Sequence, residues 1–65
     1  MKLWRLFEIE ELLGILEDVA IAITAAQNAA KRNDINNVLY CVDHAEMDIL
    51  HARSLTVKLL HHGED

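Results

Sequence analysis

Hydrophobic residues recur at alternating steps of three and four along most of this chain, and the pattern breaks clearly at one place. From Ile35 onward one seam runs Ile35, Val38, Val42, Ala45, Ile49, Ala52, Thr56 and Leu59, the spacing of a single helix face. Tyr40, Met47, Leu50, Ser54 and Val57 make a second seam on another side of the same helix. Upstream, Leu6, Ile9, Leu12, Leu13, Leu16, Val19, Ala20, Ile23, Ala26 and Ala30 read as an inner face, with Phe7, Gly14, Ile15, Ile21, Ala22, Ala25 and Ala29 as a further apolar flank. Mainly Glu10, Glu11, Glu17, Asp18, Thr24 and Asn28 are left for water, and a helix apolar over most of its circumference is usually covered on several sides.

The break is Arg32-Asn33-Asp34-Ile35-Asn36-Asn37. Asn33 tolerates the left-handed conformation that ends a helix, and Asp34 is a good cap for the next one. The pattern predicts a first helix over about 3–32, a tight turn at 33–34 and a second helix over about 35–62, each roughly 40 Å long at 1.5 Å per residue. The expected fold is therefore all-α, a single antiparallel two-helix hairpin. Glu8, Glu10 and Glu11 fall early in the first helix, and Lys58, His61 and His62 late in the second, so folding brings acidic and basic ends together.

In the expected register Leu16 and Leu12 lie near Ala52 and Thr56 respectively, and Ala26 and Ala30 lie near Ile35 and Val38, so that large residues meet small ones. A hairpin has one internal interface and more than one apolar flank to cover. Two hairpins packed as a homodimeric four-helix bundle cover the rest, with Leu12, Leu16, Val19, Ile23, Val42, Ile49 and Leu59 as the expected hairpin or dimer core.

Length sharpens this expectation, because a chain of 65 residues buries only about 60% of its unfolded surface and gains from association. Cys41 is the single cysteine and cannot close an intrachain disulfide, which fits a reducing, cytoplasmic setting. Eleven acidic residues against six basic ones give a net charge of −5, a field that repels phosphate and argues against nucleic acid as partner. Glu17 and Asp18 interrupt the apolar run from Leu12 to Ala30, so no membrane span is expected. The opening Met1-Lys2-Leu3-Trp4 is followed by Glu8, Glu10 and Glu11 before any adequate hydrophobic run, so no export signal is expected either.

Cys41, His44, Asp48 and His51 follow one another at steps of three, four and three, along one stripe of the second helix. His44 with Asp48, or Asp48 with His51, are candidate metal ligands if Glu10 or Glu17 of the facing helix completes the shell. Carboxylate-bridged bundles need inward carboxylates and Glu-x-x-His pairs, however, and Asp48-x-x-His51 has no counterpart in the first helix. The stripe reads as a solvated polar wall, with no metal or cofactor. Cys41 and His44 lack an evident oxyanion-binding element, so a packing cysteine and a non-enzymatic protein are expected. His61 and His62 suit the end of a helix by charge alone.

Trp4 and Phe7, with Leu3, either seal the end of the bundle or anchor a partner, as aromatic residues do in binding hot spots. Tyr40, Met47, Leu50 and Val57 are expected to meet a target protein, and Met47, Leu50, Ser54 and Val57 have the spacing used by helices that lie in grooves. The expected function is a small regulatory or adaptor protein that homodimerises and binds a target through an apolar helical face, possible inhibition included. Two other functions follow from layout. A short acidic chain folded about an Asn33-Asp34 turn is similar in plan to plasmid copy-number regulators of the Rop type, dimeric four-helix bundles that bind paired RNA loops. That resemblance implies RNA binding, yet the outer stripe here is Glu10, Glu11, Glu17 and Asp18, the wrong sign for phosphate. A structural subunit or chaperone-like hairpin, filling a groove in a larger assembly, is the other.

Overall fold

The computed structural model describes residues 3–61 as two packed antiparallel helices, α1 (Leu3–Lys31) and α2 (Ile35–His61). The expected end of the second helix at His62 lies outside the described residues. Helix α1 stops at Lys31 because Asn33 turns left-handed, with φ at 58°. Its amide donates to the Ala30 carbonyl at 3.0 Å and the Asp34 amide to the Ala29 carbonyl at 2.9 Å. These are the two bonds of a Schellman closure, which satisfies carbonyls that the helix end leaves open. Asp34 then caps α2: the Asn37 amide donates to its Oδ1 at 3.4 Å, and the Val38 amide to its carbonyl at 3.1 Å. The Asn37 side chain also donates to Asp34 Oδ2, at 3.2 Å. One residue thus finishes one helix and begins the next.

The line of contact between the helices is read from burial. In α1 the buried and half-buried positions include Trp4, Glu8, Leu12, Ile15, Val19, Ala22, Ala26 and Ala29; in α2 they are Val38, Cys41, Ala45, Asp48, Ala52, Leu55 and Leu59. Both sets step by threes and fours, as the a and d positions of a heptad. Here a denotes Leu12, Val19 and Ala26 in α1 and Val38, Ala45, Ala52 and Leu59 in α2. The buried core consists of five alanines, Ala22, Ala26, Ala29, Ala45 and Ala52, with Leu55 and Leu59.

This corrects the expected inner faces by one heptad position. Leu12 and Val19 are half-buried and Leu59 is buried on the line, but Leu16, Ile23, Val42 and Ile49 stand beside it, between 43% and 48% exposed. Ile35 is still more exposed, and Cys41, Asp48 and Leu55 take the inward places instead. The apolar sector is wider than one helix can cover, so its centre is not the line of contact. The arms meet where side chains are short, and the branched residues flank the seam.

The open end is tied by charge. Arg5 Nη1 donates to the Leu59 carbonyl at 3.1 Å, and Lys58 Nζ meets Glu8 Oε1 at 2.8 Å, the expected meeting of acidic start and basic end. This register sets Leu12 at the level of Ala52 and Leu16 at the level of Ile49. The resulting plate measures 48 × 15 × 10 Å, and its radius of gyration of 14.9 Å exceeds the roughly 11 Å of a compact chain of this length.

Two substitutions test the turn and the close approach beside it. Asp34→Ala removes the cap and should cost about 1 kcal/mol in urea unfolding. Ala29, 1% exposed, has no room for a larger side chain, so Ala29→Leu should cost about 1–3 kcal/mol through overpacking. An unchanged midpoint in either variant contradicts this description of the turn.

Candidate interaction surfaces

The plate has two unlike broad faces. On one, the g positions of the two helices meet across the seam: His51 Nε2 lies 3.7 Å from Glu11 Oε2, and the Lys58–Glu8 pair stands beside it. Asp18 and His44 occupy g positions on the same side. Heptad geometry then puts the e positions of both helices on the opposite face. These are Ile9, Leu16, Ile23 and Ala30 in α1, and Ile35, Val42, Ile49 and Thr56 in α2. Next to them come the b positions, Leu6, Leu13, Ala20 and Gln27 in α1, and Leu39, Glu46, Arg53 and Leu60 in α2. All of these are exposed except the half-buried Ile9, and the polar members are Thr56, Gln27, Glu46 and Arg53.

A separate ridge runs along the outer edge of α2. Tyr40, Met47 and Leu50 are 69%, 70% and 61% exposed, with Val57 less so. The outer side of α1 presents Phe7 and Ile21, both well exposed, whereas Trp4 is half-buried near the open end. The aromatic pair is therefore split, with Trp4 toward the seam and Phe7 toward the surroundings.

The stripe Cys41, His44, Asp48 and His51 is divided as well. Cys41 and Asp48 are half-buried d positions in the seam, while the His44 and His51 side chains stay 63% and 60% exposed on the polar face. His44 Nε2 is 3.9 Å from Asp48 Oδ2, too long for a hydrogen bond, and that buried oxygen has no hydrogen-bond partner. Tyr40 stacks on His44 with ring centroids 6.4 Å apart and 22° between planes. Among the described residues no three His, Cys, Asp or Glu side chains converge on a position that could hold a metal ion. Glu10 and Glu17 point away at f positions, the side of α1 opposite the seam.

A shallow cleft of about 300 Å³ opens on the polar side, lined by Asp18, Ile21, Ala22, Tyr40, Cys41 and His44. Its walls are the middles of two helices, where backbone amides are engaged in the helix ladder. The cleft therefore offers no pair of free amides to an oxyanion beside Cys41. Hydrogen bonding by Glu8 and the charge of that carboxylate raise the Lys58 pKa above its ordinary 10.5, and the charge of Glu11 adds in the same direction against a small desolvation effect.

No described helix is long and apolar enough to cross a membrane. Comparison with protein-family models, curated proteins and solved structures finds no match to this chain. The surfaces must therefore be interpreted from their own chemistry. The hydropathy pattern did not reveal Asp48 in the seam or Glu46 and Arg53 on the apolar face, because polar residues at a seven-residue spacing carry no weight in an apolar period.

Two outcomes follow. Because the folded Lys58 pKa lies above the unfolded value, its pair with Glu8 stabilises fully below about pH 10.5 and loses that effect as pH rises through the raised value. The difference in melting temperature between the parent and Lys58→Met should therefore shrink from pH 9 to pH 12; a constant difference contradicts it. Asp48→Leu removes a poorly satisfied carboxylate from the seam and should raise unfolding stability by about 1 kcal/mol or more, whereas a fall shows that Asp48 is better satisfied than its surroundings indicate.

Proposed function

We propose that this chain is a small, non-enzymatic regulatory or adaptor protein that self-associates as a homodimer and binds a target protein through an apolar helical ridge. The observation that carries this reading is large apolar side chains exposed on two separate surfaces, around a seam whose buried positions are largely alanine. One surface is broad and spans both helices; the other is the Tyr40–Met47–Leu50–Val57 edge of α2. Exposed patches of this kind mark association sites, and their separation allows a dimer and a target to bind at once.

Support for a helical ridge comes from its side chains. Met47 is flexible and polarisable, Tyr40 is rigid and amphipathic, and Leu50 and Val57 continue the ridge at helical spacing. RNA binding has less support, because the polar broad face carries Glu8, Glu11 and Asp18, and the far side of α1 carries Glu10 and Glu17.

Native mass spectrometry of the untagged protein at low micromolar concentration should give a metal-free dimer, and a monomer at that concentration refutes self-association. Met47→Asp combined with Leu50→Asp should abolish target capture and leave the circular dichroism helical. Capture that survives both acids refutes the ridge as the binding site.

A further inference from the structure

We propose that a second copy of this chain covers the broad apolar face, its hairpin running in the opposite direction about a two-fold axis at the level of Leu16 and Ile49. This rests on the homodimer proposed above and adds which face is used and how the subunits are oriented.

The first argument is area. The chain exposes 5062 Å², whereas a compact protein of 7.4 kDa exposes about 4,200 Å². The surplus, roughly 850 Å², matches the approximately 800 Å² that one partner gives to an interface of standard size. The e and b positions lie roughly 100° around each helix from the a/d seam, so they point out of the plate toward a stacked second layer.

The face is also complementary to itself. With opposed hairpins, α1 lies on the partner's α1 and α2 on the partner's α2, each pair antiparallel. Glu46 then meets the partner's Arg53, and symmetry repeats the pair. Neither residue has an ion-pair partner within the described chain. Around them Leu39 meets the partner's Leu60 and Val42 meets the partner's Thr56, a near-isosteric match. On α1, Leu13 meets the partner's Ala20, Ile9 meets the partner's Ile23, and Leu6 meets the aliphatic stem of the partner's Gln27 near the edge of the contact. Leu16 and Ile49 sit on the axis against their own copies. The two helices give their axes independently, yet the hairpin register already holds Leu16 and Ile49 at one level. A single axis satisfies both.

Hairpins pointing the same way do not achieve this. They set α1 on the partner's α2, with Arg53 against the partner's Leu13 and Glu46 against the partner's Ala20. Four charges would then lie on an apolar interface without opposite partners, which disfavours that arrangement.

The test is a charge swap read by sedimentation equilibrium of the full chain. Glu46→Arg and Arg53→Glu should each weaken the dimer by about tenfold or more, since each juxtaposes like charges twice, and the double swap should restore it to within about threefold of the parent. In a Cys41→Ser background, Ile49→Cys should oxidise readily to a covalent dimer, because residues on the axis come within disulfide reach. Circular dichroism of each variant should remain helical, as Glu46, Ile49 and Arg53 are exposed on the hairpin and Cys41→Ser is a near-isosteric change at a half-buried position. A parent that is monomeric at low micromolar concentration overturns the homodimer itself. A dimer in which the double swap stays as weak as the single ones, and in which Ile49→Cys does not cross-link, overturns this arrangement alone.

Discussion

Two helices share one line of contact, and in this chain alanine supplies most of its fully buried positions. Short side chains let the arms approach closely, with Ala29 nearly inaccessible beside the turn. The same choice limits what the seam can contribute, because alanine buries little apolar area. Most of the leucines and isoleucines, which bury more, are left on the broad face and the outer edges, with Leu55 and Leu59 the buried exceptions. The internal seam sets the shape of the hairpin; most of its hydrophobic surface faces outward.

Charge separates the two broad faces. Glu8, Glu11, His51 and Lys58 bridge the helices on one side; water screens the His51–Glu11 pair, which contributes little by itself, while the Glu8 carboxylate is mostly buried beneath Lys58. Their combined effect is on register, since they join specific levels of the two arms together with the Arg5 bond to the Leu59 carbonyl. Fixing register fixes which residues stand side by side across the apolar face. Polar contacts on one side of the plate thereby organise the pattern of hydrophobic residues on the other.

Much of the fold was legible in the sequence, and the reason is local. Asn33 and Asp34 are a helix stop and a helix start by their own chemistry, and the hydropathy period on either side is unambiguous. The rotation of each helix about its axis was not legible in the same way. Periodicity locates the middle of an apolar sector, and Val42 and Ile49 weigh more in that measure than Cys41 and Asp48, although the latter pair lies in the seam. Which positions touch a single neighbour depends on how closely backbones approach, a property of Ala22, Ala26, Ala29, Ala45 and Ala52 together. The Tyr40–Met47–Leu50–Val57 ridge was legible as a second seam because it is separated from the first by polar positions. The stripe at His44 and His51 was legible as exposed, but not its division from Cys41 and Asp48, which needs the same rotation.

The paired closure at Asn33 and Asp34 also bears on the order in which the hairpin forms. It joins residues close in sequence, so the loop that must be closed is short and its entropic cost small. Contacts then grow outward through Ala29, Ala26 and Ala22, each only a turn beyond the last, as in rapidly folding chains dominated by local contacts. The Arg5 and Lys58 links join residues far apart in sequence and come last. Fluctuations in the folded hairpin should follow the reverse path, with amide exchange fastest at the open end and slowest toward the turn-side alanines.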